Sequence, residues 1–175
     1  SVTVTVSDVV APSKPVVNRI DNNDKVVTGK AESGSTVTVK SGKTVLGTAK
    51  ATSKGAFSTK IAVQKAGTKL VITAKDSAGN VSTSVTVTVS DVVAPSKPTV
   101  NKVDDNDTKV TGKAEANSTV NVKVGSKSLG AATADSKGNY SVKIKVQKKG
   151  TTITVTAKDK AGNSSQAATF KVVKH

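Results

Sequence analysis

The residue types that carry most enzymatic and metal chemistry are nearly missing from this chain of 175 residues. It has no cysteine, and its one histidine, His175, is the last residue. Without thiols there is no thiolate nucleophile, no disulfide and no Cys-ligated metal site. No His-based acid–base pair and no glycine-rich phosphate loop can be assembled from what remains, and nothing in the spacing of serines and lysines builds a Ser–Lys dyad. No residue is therefore assigned to catalysis, to a cofactor or to a metal, and the chain is expected not to be an enzyme. What is left is carboxylates, amides and many lysines. Asp76-Ser-Ala-Gly-Asn80 and Asp159-Lys-Ala-Gly-Asn163 have the composition of tight turns, in which the aspartate accepts backbone N–H bonds and Gly79 or Gly162 supplies a positive φ.

The net charge is +15 and the pI near 10.0. Of 27 basic residues only Arg19 is an arginine. Lysine is a hydrated point charge, whereas arginine offers the planar fork that reads bases or clamps carboxylates. A lysine surface suits diffuse attraction to a polyanion, and the alternative is simply a solvated face whose charges also guard strand edges from pairing. The chain has no Trp, one Tyr and two Phe. Nucleic acid is the less expected partner, because single-strand binders need stacking aromatics; sugar stacking fails for the same reason. No apolar run approaches the roughly 20 residues that span a bilayer, so membrane insertion is not expected.

These residues must be positioned by repeats. Asp8-Val-Val-Ala-Pro-Ser-Lys-Pro15 returns unchanged as Asp91-Val-Val-Ala-Pro-Ser-Lys-Pro98, an offset of 83 residues that runs without a gap to the chain end. Residues 8–90 and 91–175 are expected to share one fold. Ser1–Ser7 is identical to Ser84–Ser90 and reads as the last-strand remnant of a preceding repeat, or as a linker, in a longer chain.

Val and Thr dominate, and both favour a pleated strand. Seven short strands are expected in the first repeat, over about Val16–Ile20, Lys25–Lys30, Thr36–Lys40, Thr44–Ala51, Ala56–Ala62, Lys69–Lys75 and Ser82–Ser90, with Gly/Asn/Asp/Ser breakers between them. In Ser141-Val-Lys-Ile-Lys-Val-Gln147, Val142, Ile144 and Val146 are expected to face in, and Lys143 and Lys145 to face water. Phe57, Tyr140 and Phe170 are the only large fillers for a core. The fold class is all-β, two tandem seven-stranded immunoglobulin-like β-sandwiches; a small closed barrel is the alternative.

The opener Asp-x-x-Ala-Pro-x-x-Pro, the stretches Gly29–Val37 and Gly112–Val120, Ser53–Ser58 and Asp135–Ser141, and Thr73–Asn80 and Thr156–Asn163 resemble the bacterial immunoglobulin-like repeats of secreted and cell-surface proteins. The resemblance covers both repeats whole and rests on turn and core residues. It implies spacers, adhesive stalks or wall-associated modules. The expected function is a non-catalytic structural module of a larger secreted Gram-positive protein, located at the cell surface or wall, monomeric, and attracted to wall polyanions such as teichoic acid. The alternative is an adhesin stalk or interaction domain with a protein ligand.

Two further chemistries follow from the repeats. If consecutive strands alternate direction, Asp91, Glu115 and Asp159 fall at one pole of the second repeat and Asp21-Asn-Asn-Asp24 at the facing pole of the first. Calcium takes six to eight oxygen ligands and could stiffen such a junction. The surrounding lysines oppose a divalent cation, and neither Asp21 nor Asp104 opens an EF-hand loop. A self-formed Lys–Asn amide needs a buried carboxylate beside it, and no lysine or asparagine stands out as buried and paired.

Overall fold

The computed structural model describes residues 7–175. The remnant strand expected at 1–7 therefore lies outside the described residues except for Ser7, which belongs to no strand. Among the described residues there are strands and no helix. The chain divides into two compact units between Val92 and Val93.

The first unit holds β1 (Val16–Val17), β2 (Val26–Lys30), β3 (Thr36–Ser41), β4 (Thr44–Lys50), β5 (Ala56–Lys60), β6 (Lys69–Lys75) and β7 (Val85–Thr88). The second holds β8 (Thr99–Val100), β9 (Lys109–Lys113), β10 (Thr119–Val124), β11 (Lys127–Thr133), β12 (Asn139–Lys143), β13 (Thr152–Lys158) and β14 (Ala168–Lys171). In the first unit a three-stranded sheet, β1-β2-β5, faces a four-stranded one, β4-β3-β6-β7; the second unit repeats this as β8-β9-β12 and β11-β10-β13-β14. Every ladder between these strands is antiparallel. The fourth strand pairs with the third, from Thr36↔Lys50 to Ser41↔Thr44, rather than joining the sheet of β1, β2 and β5. That moves one strand across relative to an immunoglobulin constant-type sandwich.

Alternation explains why these segments are strands and which side is buried. In β6, Leu70, Ile72 and Ala74 have no exposed surface, while Lys69 and Lys75 face solvent. Ile153, Val155 and Ala157 do the same in β13. Each Val, Leu or Ile side chain buried in this way contributes ~1.5–3 kcal/mol. Phe57 and Tyr140 fill matching places in the two cores, and Phe170 packs against the second from the partly buried rim.

Three local departures have physical causes. The first strand, Val16–Val17, is shorter than the expected Val16–Ile20. After Asn18, whose N–H donates to the Thr28 carbonyl (3.0 Å), the chain leaves β2 and crosses to the other sheet. There Asp21 pairs in parallel with Ser90, and the buried Ile20 carbonyl accepts the Ser90 N–H (2.9 Å). The last strand begins late because the buried Ser82 hydroxyl enters the ladder and accepts the Ala74 N–H at 2.9 Å. Val146 does not face in. β12 stops at Lys143, Ile144 makes one more backbone bond to the Thr108 carbonyl (2.9 Å), and the departing chain leaves Val146 53% exposed.

Candidate polyanion-binding surface

Charge is sorted by secondary structure. None of the 12 acidic residues stands on a strand, whereas every strand except β1, β7 and β8 carries at least one exposed lysine. The cause is local: Asp and Asn stabilise turns by bonding their own backbone, and lysine tolerates a solvent-facing strand position. Among the described residues, Lys102 is the only lysine with a carboxylate within ion-pairing distance, Asp104 Oδ1 at 3.1 Å. That pair is an electrostatic contact without hydrogen-bond alignment. The lysines on the described strands have no carboxylate within 4 Å, although the charge of Lys113 helps to lower the Asp135 pKa.

The two repeats keep a charge in place while changing its carrier. In the first unit Lys69 on β6 lies opposite Thr88 on β7; in the second Thr152 lies opposite Lys171. At another position the second unit adds charge against a strand's own interest. Lys109 and Lys143 face each other directly across β9 and β12, where the first unit has Val26 and Lys60. Like charges directly opposed destabilise a sheet.

The carboxylates are spent on turns. Asp76 Oδ1 accepts the N–H of Gly79 (2.7 Å) and of Asn80 (2.8 Å), and Oδ2 accepts the Asn80 side-chain amide (2.8 Å). Asp159 repeats this with Gly162 and Asn163, and Gly79 and Gly162 adopt φ of 102° and 100°. Asp135 accepts from the Lys137 and Asn139 backbone and from the Asn139 amide. Partial desolvation raises the Asp76 and Asp159 pKa, but hydrogen bonds from the Asn side chain and backbone outweigh it and hold both below the usual value of 3.8. For Asp135 the Asn139 side-chain bond leads and the net direction is also down.

A carboxyl group whose folded pKa lies below its unfolded one contributes stability above the unfolded value, and that stability is lost as pH falls through the folded one. Acidification below about pH 4 is therefore expected to lower the stability of both units. The second unit, with Asp135 and Asp159, should lose more than the first, where Thr52 replaces Asp135. Urea midpoints at pH 7 and pH 3 check this, and Asp135→Asn should reduce the difference between the units.

Several of the carboxylates considered for calcium accept hydrogen bonds within their own unit. Asp91 Oδ1 accepts the Asn22 side-chain amide at 2.7 Å, and Asp24 Oδ2 accepts the Asp21 N–H at 2.8 Å. Among the described residues no three carboxylate, imidazole or thiolate groups converge as a metal site would require. Among the described residues, the buried polar ones are Ser35, Thr59, Ser82, Ser118 and Ser165, with no lysine, asparagine or carboxylate among them. His175 is anchored: its N–H donates to Asp105 Oδ1 at 3.0 Å, and its Nδ1 lies 3.6 Å from Asp104 Oδ2. The aromatic side chains are committed to the cores.

Sequence reasoning missed two features. Asn22 and Asn80 act as clamps in the first unit. Asn22 bonds Asp91 and accepts the Val92 N–H (3.1 Å), and the Asn80 amide donates to the Asp8 and Val10 carbonyls (3.1 and 3.3 Å). The recurrence of asparagine at the end of each Ala-Gly-Asn turn was the available signal. The other is a groove of about 420 Å³ in the second unit, lined by Val124, Lys127, Ser128, Leu129, Lys145 and Gln147.

Comparison with known proteins places this geometry. The family model of the bacterial Ig domain matches residues 11–91 and again 94–174. A cell wall-associated protease of Bacillus subtilis (strain 168) is 40% identical over 159 residues, which is 90% of this chain and 18% of that protein. The chain thus spans about a fifth of the curated relative it matches. Among solved structures, one titled Rst D1-D2 aligns over 95% of this chain and 98% of its own at a TM-score of 0.56 and 11% identity. Bovine butyrophilin aligns over 95% and 96% at 0.56 and 7%; these two show the fold alone. The match of one family model to both repeats, on sandwiches of the expected strand content, shows that the chain belongs to the bacterial Ig domain family as two tandem copies.

Proposed function

We propose that this pair is a non-catalytic structural module of an extracellular bacterial surface protein, and that its lysine-bearing sheets hold it against the anionic polymers of a Gram-positive cell wall. The observation that carries the reading is the sorting of charge: acids lie off the strands, and the strand lysines stand exposed with no carboxylate within 4 Å among the described residues. Such a surface gives a long-range attractive field of low geometric demand, which suits a flexible polyanion better than a shaped ligand. Lysine in place of arginine fits phosphate addressed as a point charge. The wall-associated relative supports the same setting.

Co-sedimentation with purified cell walls tests it. Walls retaining teichoic acid should pull the chain down at low salt, and walls chemically stripped of it should bind much less. Equal retention by both would contradict the reading. Raising salt from 50 to 500 mM should release the bound chain as the Debye length contracts from over 10 Å to about 4 Å.

A further inference from the structure

The geometry points to a specific phosphodiester-binding groove in the second unit, resting on the polyanion reading above and narrowing it to one site. The groove lies between the β10–β11 hairpin and the chain that leaves β12. Val124 and Leu129, both partly buried, supply an apolar floor, and Lys127 and Lys145 stand exposed on its rims. No carboxylate lies within 4 Å of either ammonium group among the described residues. The Gln147 amide donates to the Lys145 carbonyl at 2.8 Å and to the Val146 carbonyl at 3.2 Å, which pins the segment carrying Lys145.

The first unit is an internal control. At the offset of 83, the groove positions Val124, Lys127 and Lys145 are Ser41, Thr44 and Ala62, while Leu129 and Gln147 remain Leu46 and Gln64. Both rim lysines and part of the floor thus belong to the second copy alone. Lys143 and Lys109, opposed across β12 and β9, extend the positive charge from Lys145 along the sheet. Gathering unpaired cations around an apolar trough does not help the fold, because like charges repel and exposed lysines bring no packing. It does complement a ligand whose negative charges are joined by short carbon chains. A phosphodiester-linked polyol fits: phosphates meet Lys127 and Lys145, and the intervening carbons lie over Val124 and Leu129.

The test uses the full chain and a short poly(glycerol phosphate) of defined length. Backbone amide shifts on titration should concentrate at Leu129 and Gln147 and be much smaller at Leu46 and Gln64. Lys127→Gln with Lys145→Gln should weaken binding at least ~10-fold, since two charge-assisted contacts are lost. Lys69→Gln with Lys75→Gln, which removes the same charge from the first unit, should cost far less. Thr44→Lys with Ala62→Lys should strengthen shifts at Leu46 and Gln64. Equal losses from the two lysine pairs would overturn the groove and leave diffuse attraction standing. Failure of the unsubstituted chain to bind the polymer would overturn both. Equal shifts with poly-glutamate would overturn the phosphodiester assignment.

Discussion

Gly112→Ala is expected to destabilise the second unit by ~3 kcal/mol or more, with the tyrosine fluorescence transition moving to much lower urea. Gly112 lies on β9 opposite Tyr140, whose hydroxyl donates to the Thr99 carbonyl at 2.9 Å. A Cβ at this position would overlap the Thr99 carbonyl oxygen and come within 2.8 Å of the Tyr140 hydroxyl. Backbone and a buried ring cannot both retreat, so β8 must detach or the phenol must leave its place. Burial also pushes the Tyr140 pKa up to about 12, so this donor survives at alkaline pH where an unfolded tyrosine would ionise. The stability it carries should fade as pH rises above the unfolded value near 10. Tyr140 is the only tyrosine and there is no tryptophan, so intrinsic fluorescence reports the second unit alone. Gly29→Ala should act alike on the first unit, where the Cβ would meet the Val16 carbonyl and the Phe57 ring. Amide exchange would read that loss across β2 and β5, with the fluorescence transition unmoved.

A reciprocal pair has the next largest effect. Thr59 is fully buried on β5, and its Oγ1 has no hydrogen-bond partner. The matching residue in the second unit is Val142, also fully buried. An unpaired buried hydroxyl costs ~1–3 kcal/mol, and valine has nearly its shape without the polar atom. Thr59→Val should therefore stabilise the first unit and slow amide exchange in its core. Val142→Thr should destabilise the second unit by a similar amount and shift the tyrosine transition downward. Opposite signs at one structural position would isolate the hydroxyl from any effect of volume. An unchanged first unit in Thr59→Val would show that the hydroxyl is satisfied in solution.

Much of the fold was legible because strand burial has a period of two and the repeat gives two readings of each strand. Leu70, Ile72 and Ala74 alternate visibly with Lys69 and Lys75, and Asp76-x-x-Gly79-Asn80 announces its turn in residue types alone. Where chain direction changes, the pattern misleads. Val146 continues the alternation of Val142 and Ile144, yet pairing has ended before it, and periodicity carries no information about where a ladder stops. Ile20 looks like the end of the first strand, but its burial comes from the crossing that takes Asp21 to Ser90. The excess of lysine was plain from composition; its segregation from acids needed the strand boundaries. The groove could not be read at all, because Lys127 and Lys145 lie on separate segments that only the sandwich brings to one trough.

The salt dependence of binding between the intact chain and a phosphodiester polymer tests the central claim most directly. If unpaired strand lysines hold the module to its partner, they displace condensed counterions, and log K should fall linearly with log salt concentration, with a slope of several units. A slope near zero, with binding that survives high salt, would contradict it and assign recognition to contacts other than charge.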